Sequence, residues 1–171
     1  MPKIIENIRR QLLDTAREQI NRHGYENTTI RSVAGECGVG VGTVYNYFPS
    51  KDMLIATFML EDWQECLARM AEAPTDAEGL LFHMYTALRE FSDRHSALFR
   101  DADAAKVFVS AFTEKHKLLR TQLAEVVRPI CHQDTAKDQA FLAEFIAESL
   151  LSWTMAGEDF ARFSPVLLKL L

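Results

Sequence analysis

Glycine and proline are scarce in this chain, at 7 and 5 of 171 residues, and neither gathers into a low-complexity tract. With 48% hydrophobic and 25% charged residues, that scarcity excludes a linker-like or disordered chain and leaves a helical globular one. Cysteine is scarcer still. Cys37, Cys66 and Cys131 are scattered, with no C-x-x-C pair, which excludes a disulfide framework and a zinc ribbon and leaves three small buried hydrophobes. Long hydrophobic runs are missing too. The longest uncharged run, residues 37–50, carries glycines and a proline and is too short for a bilayer span. The opening MPKIIENIRRQLLD is charged every few positions without an apolar signal core, so a soluble, cytoplasmic protein with no membrane partner is expected.

Catalytic signatures are also lacking. There is no H-E-x-x-H, Glu-x-x-His pair, G-x-S-x-G or phosphate loop, so the di-iron bundle lacks its ligands and a hydrolase its nucleophile. Cys131-His132 with Asp134 is the one cluster of metal-binding residue types, and it has no second pair of ligands. Glu144 with Glu148, and Asp134 with Asp138, share helical faces as solvated surface rather than as an acid and base. No metal, cofactor or enzymatic activity is expected.

The net charge of −5 argues against a nucleic-acid partner until it is divided. Residues 1–52 hold seven Lys/Arg against six Asp/Glu, net +1, and the rest hold twelve against eighteen, net −6. The acidity belongs to the C-terminal part, which leaves a polyanion partner possible at the other end.

Helical periodicity runs almost throughout. Ile4, Ile8, Leu12, Ala16 and Ile20 share one face of a first helix that Gly24 stops. After the link Tyr25-Glu26-Asn27, Thr28 or Thr29 caps a second helix with Ile30, Val33, Ala34 and Cys37 on its apolar side, ended by Gly38. A third runs from Gly40 to Tyr47, and Ser50 opens a long fourth through Ala71. Thr75-Asp76-Ala77-Glu78 reads as a capping box for a fifth, reaching Asp93. Residues 97–127 are helical with a break near Asp101–Asp103, 135–156 form a penultimate helix halted by Gly157, and Phe160 to Leu171 form the last. No repeat or strand is present. The fold class expected is all-α.

The stretch GVGVGTVYNYFPSKDML, residues 38–54, departs from this pattern. Two short helices joined at Gly38 and supported by a longer one make a helix-turn-helix, whose second helix enters the major groove of DNA. With Val39, Val44 and Phe48 packed inward, Val41, Gly42, Tyr45 and Asn46 face out. Gly40 and Gly42 each cost about 1 kcal/mol in a helix interior. A bare leading face lets backbone approach DNA, while Thr43, Tyr45 and Tyr47 offer hydroxyls to phosphates and Lys51 supplies a cation. A glycine-rich loop between helices with core tyrosines is the alternative.

The ordered run Thr28-Thr29-Ile30-Arg31-Ser32-Val33-Ala34, Gly38-Val39, Gly42-Thr43-Val44-Tyr45, Tyr47-Phe48, Ser50-Lys51 and Leu54 resembles the N-terminal module of the TetR family of bacterial transcriptional regulators, over about residues 8–54. The resemblance implies a helix-turn-helix DNA-binding domain over 1–49 and a helical ligand-binding and dimerisation domain over 50–171. It places Thr29, Arg31, Val41, Gly42, Thr43, Tyr45, Tyr47 and Lys51 at DNA-contacting positions. Arg31 suits a guanine edge. Gly42 leaves little to read bases with, so discrimination is expected from Arg31, Val41 and DNA shape.

The resemblance also implies a double-stranded operator, a homodimer and a small-molecule effector as partners. Polar residues among the large apolar ones mark the effector pocket: Trp63, Cys66, His83, Thr86, Thr113 and His116, with Phe112 beside them. The penultimate helix carries apolar residues on two sides, which suits either a buried core helix or one that also meets a second subunit through Phe141, Phe145 and Trp153. The reading is a DNA-binding regulator, a repressor released by a small apolar or amphipathic ligand. The alternative is a helical small-molecule-binding protein or enzyme whose N-terminal module no longer binds DNA.

Overall fold

Apolar residues spaced three and four apart resolve into nine α-helices among the described residues of the computed structural model, and no strand occurs there. Residues 7–131 and 138–171 are described, except for the side chains of 105–115. The helices are α1 (Ile8–Asn27), α2 (Ile30–Glu36), α3 (Val41–Tyr47), α4 (Lys51–Met70), α5 (Ala77–Arg94), α6 (Ser96–Phe99), α7 (Ala102–Val127), α8 (Gln139–Met155) and α9 (Phe160–Leu168), with a 3-10 turn at Arg128–Ile130. None is long and apolar enough to cross a membrane.

Local chemistry sets the boundaries. Gly24 breaks α1 with φ 79° and ψ 172°, and one further turn of helix follows it. Thr29, not Thr28, caps α2: its hydroxyl accepts the Ser32 N–H at 3.0 Å while the Ser32 hydroxyl accepts the Thr29 N–H at 2.9 Å. Thr28 is buried instead and donates to the Gly24 carbonyl at 2.9 Å. Gly38 turns the chain with φ 66°, a conformation that an L side chain disfavours. Ser50 caps α4 by accepting the Met53 N–H at 3.1 Å.

Two expected boundaries are corrected. α3 starts at Val41, because Gly40 is its N-cap in extended conformation (φ −70°, ψ 147°). Gly40 therefore bears no helix-interior cost, and that cost falls on Gly42 alone. At the start of α5 the cap is Asp76, whose Oδ1 accepts the Gly79 N–H at 2.7 Å, rather than Thr75. The break expected near residue 101 is present: Asp101 accepts the N–H groups of Asp103 and Ala104, both at 2.9 Å.

The chain packs as two compact units, Met1–Asp62 with His95–Val109, and Trp63–Arg94 with Ser110–Leu171. In the first, Leu12, Ala16 and Ile20 of α1 meet Val33 of α2, Val44 of α3, Leu54, Ile55 and Phe58 of α4, and Leu98 of α6. A buried polar cluster ties three of these helices together. Asp62 of α4 accepts Arg17 Nη2 at 2.8 Å and Nε at 3.2 Å, and His95, capping α6, places Nε2 3.1 Å from Asp62 Oδ2. Phe58 stacks on the His95 ring and lies under the Arg17 guanidinium.

In the second unit, α5 and α8 form the centre and α9 lies against both. Leu81, Met84 and Leu88 of α5 and Ala143, Ile146, Ala147 and Leu150 of α8 are fully buried there. The opposite side of α8 is exposed and aromatic: Phe141 is 67% exposed, Phe145 47% and Trp153 50%. A fully buried α8 is thereby ruled out for the single chain.

Candidate nucleic-acid interface

The first unit brings together residues that the sequence scatters over 23 positions. Thr29 at the cap of α2, Arg31 from α2, Val41 and Tyr45 from α3 and Lys51 from α4 line one open concavity of about 460 Å³. Val44 is fully buried and Phe48 nearly so, which anchors α3 and turns Gly42, Tyr45 and Asn46 outward as the spacing predicts. Tyr45 is 52% exposed and Tyr47 45%, and neither phenol makes a hydrogen bond among the described residues. Thr43 is half-buried near the turn. Thr29 is exposed, but its hydroxyl is engaged in the cap of α2.

The charges around this face are sorted. Arg9 pairs with Glu61 at 2.7 Å, Arg10 with Asp14 at 3.7 Å, Arg17 with Asp62 at 2.8 Å and Arg22 with Glu18 at 2.8 Å. Between Ile8 and Asp62, Arg31 and Lys51 form no ion pair among the described residues, and both line the concavity. Cations without a carboxylate are the ones available to a polyanion.

Sequence reasoning missed two supports of this face. Tyr25 seats Lys51, whose ammonium lies 3.7 Å from the ring centroid. Gln19 fixes α2 from α1: it accepts the Ser32 hydroxyl at 2.7 Å and donates to Glu36 at 2.6 Å. A glutamine buried on an otherwise apolar face was the one available signal for the second.

Residues 12–57 match the sequence profile of bacterial regulatory proteins of the tetR family. That stretch is the part of the chain that carries the family's N-terminal module. Among relatives, the HTH-type transcriptional regulator UidR of Escherichia coli K12 is 32% identical over 89 residues, 52% of this chain and 44% of UidR, so less than half of that protein is matched. The HTH-type transcriptional repressor Rv1474c of Mycobacterium tuberculosis is 28% identical over an alignment covering 98% of this chain and 95% of that protein. In fold, the chain resembles a transcriptional regulator from Rhodococcus, with TM-score 0.62 at 19% identity over 94% of this chain and 89% of the other.

The remaining expected residues lie in the second unit. Trp63 is nearly buried; its indole N–H donates to Gln122 at 2.9 Å and its ring meets Phe91 edge-on. Cys66 is buried beside the Ala87 carbonyl, and burial pushes its thiol up to about 11. His83 bonds the Arg69 carbonyl at 3.0 Å and Thr86 bonds the Phe82 carbonyl of its own helix at 2.9 Å. His116 reaches Glu148 on α8 at 3.0 Å. Burial raises the Glu148 carboxyl, but His116, Ser152 and Arg120 outweigh it and hold the group below the usual carboxylate range. Phe112 and Thr113 lie outside the described side chains, as do His132 and Asp134. Among the described residues no group of three His, Cys, Asp or Glu is placed to hold a metal.

The exposed face of α8 continues onto α9. Phe145, Ser149 and Trp153 with Arg162, Phe163 and Val166 line a concavity of about 290 Å³ between the two helices.

Proposed function

We propose that the protein is a homodimeric transcriptional repressor that binds a palindromic operator through α2 and α3 and releases it when a small apolar or amphipathic ligand enters the second unit. The observation that carries the DNA-binding part is the convergence of Arg31 and Lys51, without ion pairs, on the concavity formed with Val41 and Tyr45. The family match over residues 12–57 and the name of the repressor Rv1474c support the same reading. Arg31 contacts a guanine edge from the start of α2, while Tyr45, Tyr47, Thr43 and Lys51 hold phosphates. The working division is a DNA-binding domain over 1–49 and a ligand-binding and dimerisation domain over 50–171.

Dimerisation uses the outer face of α8 with α9. Phe141, Phe145 and Trp153 form an exposed aromatic set, and Val166 beside them is 61% exposed. A soluble monomer rarely leaves so much contiguous apolar surface uncovered. For the effector, Trp63 and Cys66 lie in the buried apolar cluster of the second unit, with His83, Thr86, Phe112, Thr113 and His116 as further candidates.

A mobility-shift experiment with DNA from upstream of the protein's own gene tests this function, combined with a thermal-shift screen of apolar ligands. Submicromolar, salt-sensitive binding that a melting-raising ligand reverses is expected. Binding that no stabilising ligand reverses removes the effector part, and a sedimentation profile of monomers removes the dimer.

A further inference from the structure

At the start of α3 the exposed residues Val41 and Gly42 carry no side-chain group that hydrogen-bonds to bases, and the first of them is apolar. Val41 is 36% exposed, although Val44 one turn later is fully buried. Its neighbours on either side are glycines. A Cβ at Gly42 would meet nothing within 4 Å, and one at Gly40 only the Thr43 hydroxyl oxygen at 3.8 Å. The fold therefore does not demand those glycines for close packing, and no flanking side chain screens the Val41 methyls. Arg31 and Tyr45 share the same concavity.

Among the four bases, only thymine presents a methyl group in the major groove; the other edges offer donors and acceptors. A valine pressed against such a polar edge would leave it desolvated without a partner. We propose that Val41 is a specificity-determining residue that reads thymine through its 5-methyl group, at a base pair neighbouring the one Arg31 contacts. The inference rests on the DNA-binding reading above. Gly40 and Gly42 keep the approach open, and Arg31 and Tyr45 line the same concavity. Removing one buried methyl group weakens binding about fourfold.

The test uses the full chain and the duplex that it protects from nuclease in the DNA upstream of its own gene. Each thymine of the half-site is replaced singly by uracil, which deletes the 5-methyl and keeps the hydrogen-bonding edges. Wild-type protein is expected to lose about three- to fivefold in affinity at one thymine of each half-site and little elsewhere. Val41→Ala is expected to bind the unmodified duplex several-fold more weakly and to be indifferent to uracil at that thymine. Val41→Thr, which keeps the branched shape and one methyl, retains part of the penalty and guards against a folding defect of the alanine variant. Tight wild-type binding that tolerates uracil everywhere overturns the proposal and leaves the DNA-binding reading intact. A uracil penalty of unchanged size in both variants does the same. If wild-type protein binds none of this DNA, the DNA-binding reading fails, and the proposal with it.

Discussion

Lys51 lays its ammonium over the ring of Tyr25, 3.7 Å from the centroid, and donates to the Tyr25 carbonyl at 2.9 Å. The Tyr25 hydroxyl in turn donates to Asp52 at 2.6 Å. The first turn of α4 is thus fastened to the end of α1, and the Lys51 charge is held at the rim of the concavity that also contains Arg31. One of its three protons is used by the carbonyl, and the others remain for a phosphate. A cation already ordered loses less freedom on binding.

Lys51→Met is accordingly expected to weaken binding by a similar factor for every DNA sequence and to lower the slope of log K against log salt by about one. Tyr25→Leu, which removes the seat and keeps the charge, is expected to weaken binding with the slope unchanged. Anisotropy titrations at several salt concentrations measure both. A sequence-dependent effect of Lys51→Met would show that it reads bases rather than backbone.

Arg31→Ala is expected to cost roughly 1–3 kcal/mol in specific binding and to relax the preference at one base pair of each half-site. Tyr45→Ala is expected to lose a comparable amount, spread over specific and non-specific DNA alike. Competition against a panel of single-base operator variants separates the two patterns. Unchanged affinity in both variants would reject the assigned contacts.

The glycines of the turn are expected to behave oppositely. Gly42 lies in the first turn of α3 with open space where a Cβ would go, so Gly42→Ala is expected to raise stability by about 0.5–1 kcal/mol while weakening operator binding. Gly38 holds φ 66°, so Gly38→Ala is expected to destabilise by roughly 1–2 kcal/mol. Thermal melts and binding isotherms on the two variants decide this. A Gly42→Ala protein that binds as well as wild type would show that α3 does not need its bare face.

Asp62 carries a pH dependence. Burial raises its carboxyl, but the contacts with His95 and Arg17 outweigh that and hold it below the ordinary value of 3.8. A carboxylate with a depressed folded value gives stability that is complete above the unfolded value and lost as pH falls through the folded one. Denaturant midpoints are therefore expected to fall steeply below about pH 4. Asp62→Asn is expected to flatten that fall and to cost roughly 2–3 kcal/mol at neutral pH, because Arg17 and His95 lose their shared partner. An unchanged acid limb in the variant would place the acid sensitivity elsewhere.

The helices and the outward face of α3 were legible in the sequence because periodicity and glycine punctuation are local signals. Val44 and Phe48 had to be inside for Tyr45 and Asn46 to be outside, and they are. What the sequence did not disclose depends on distant partners. Residues 95–109 pack with the N-terminal unit although α5 intervenes, since an apolar spacing shows that a face is buried and not against what. Asp62 reads as one more surface charge of α4 until Arg17, 45 positions earlier, is seen to bind it. The seat of Lys51 on Tyr25 spans 26 positions and left no local mark. The start of α3 and the cap of α5 moved by one residue, to Val41 and to Asp76, where neighbouring polar or glycine residues compete for the same role.

The most direct measurement is an anisotropy titration of the full chain onto its upstream DNA, compared at several salt concentrations with the Arg31→Ala, Lys51→Met double variant. Wild-type binding is expected to be submicromolar and to weaken steeply with salt, and the double variant to lose both affinity and about one unit of salt slope. Equal binding by the two proteins would contradict the placement of the DNA on the face formed by Arg31, Val41, Tyr45 and Lys51, and no wild-type binding would contradict DNA recognition altogether.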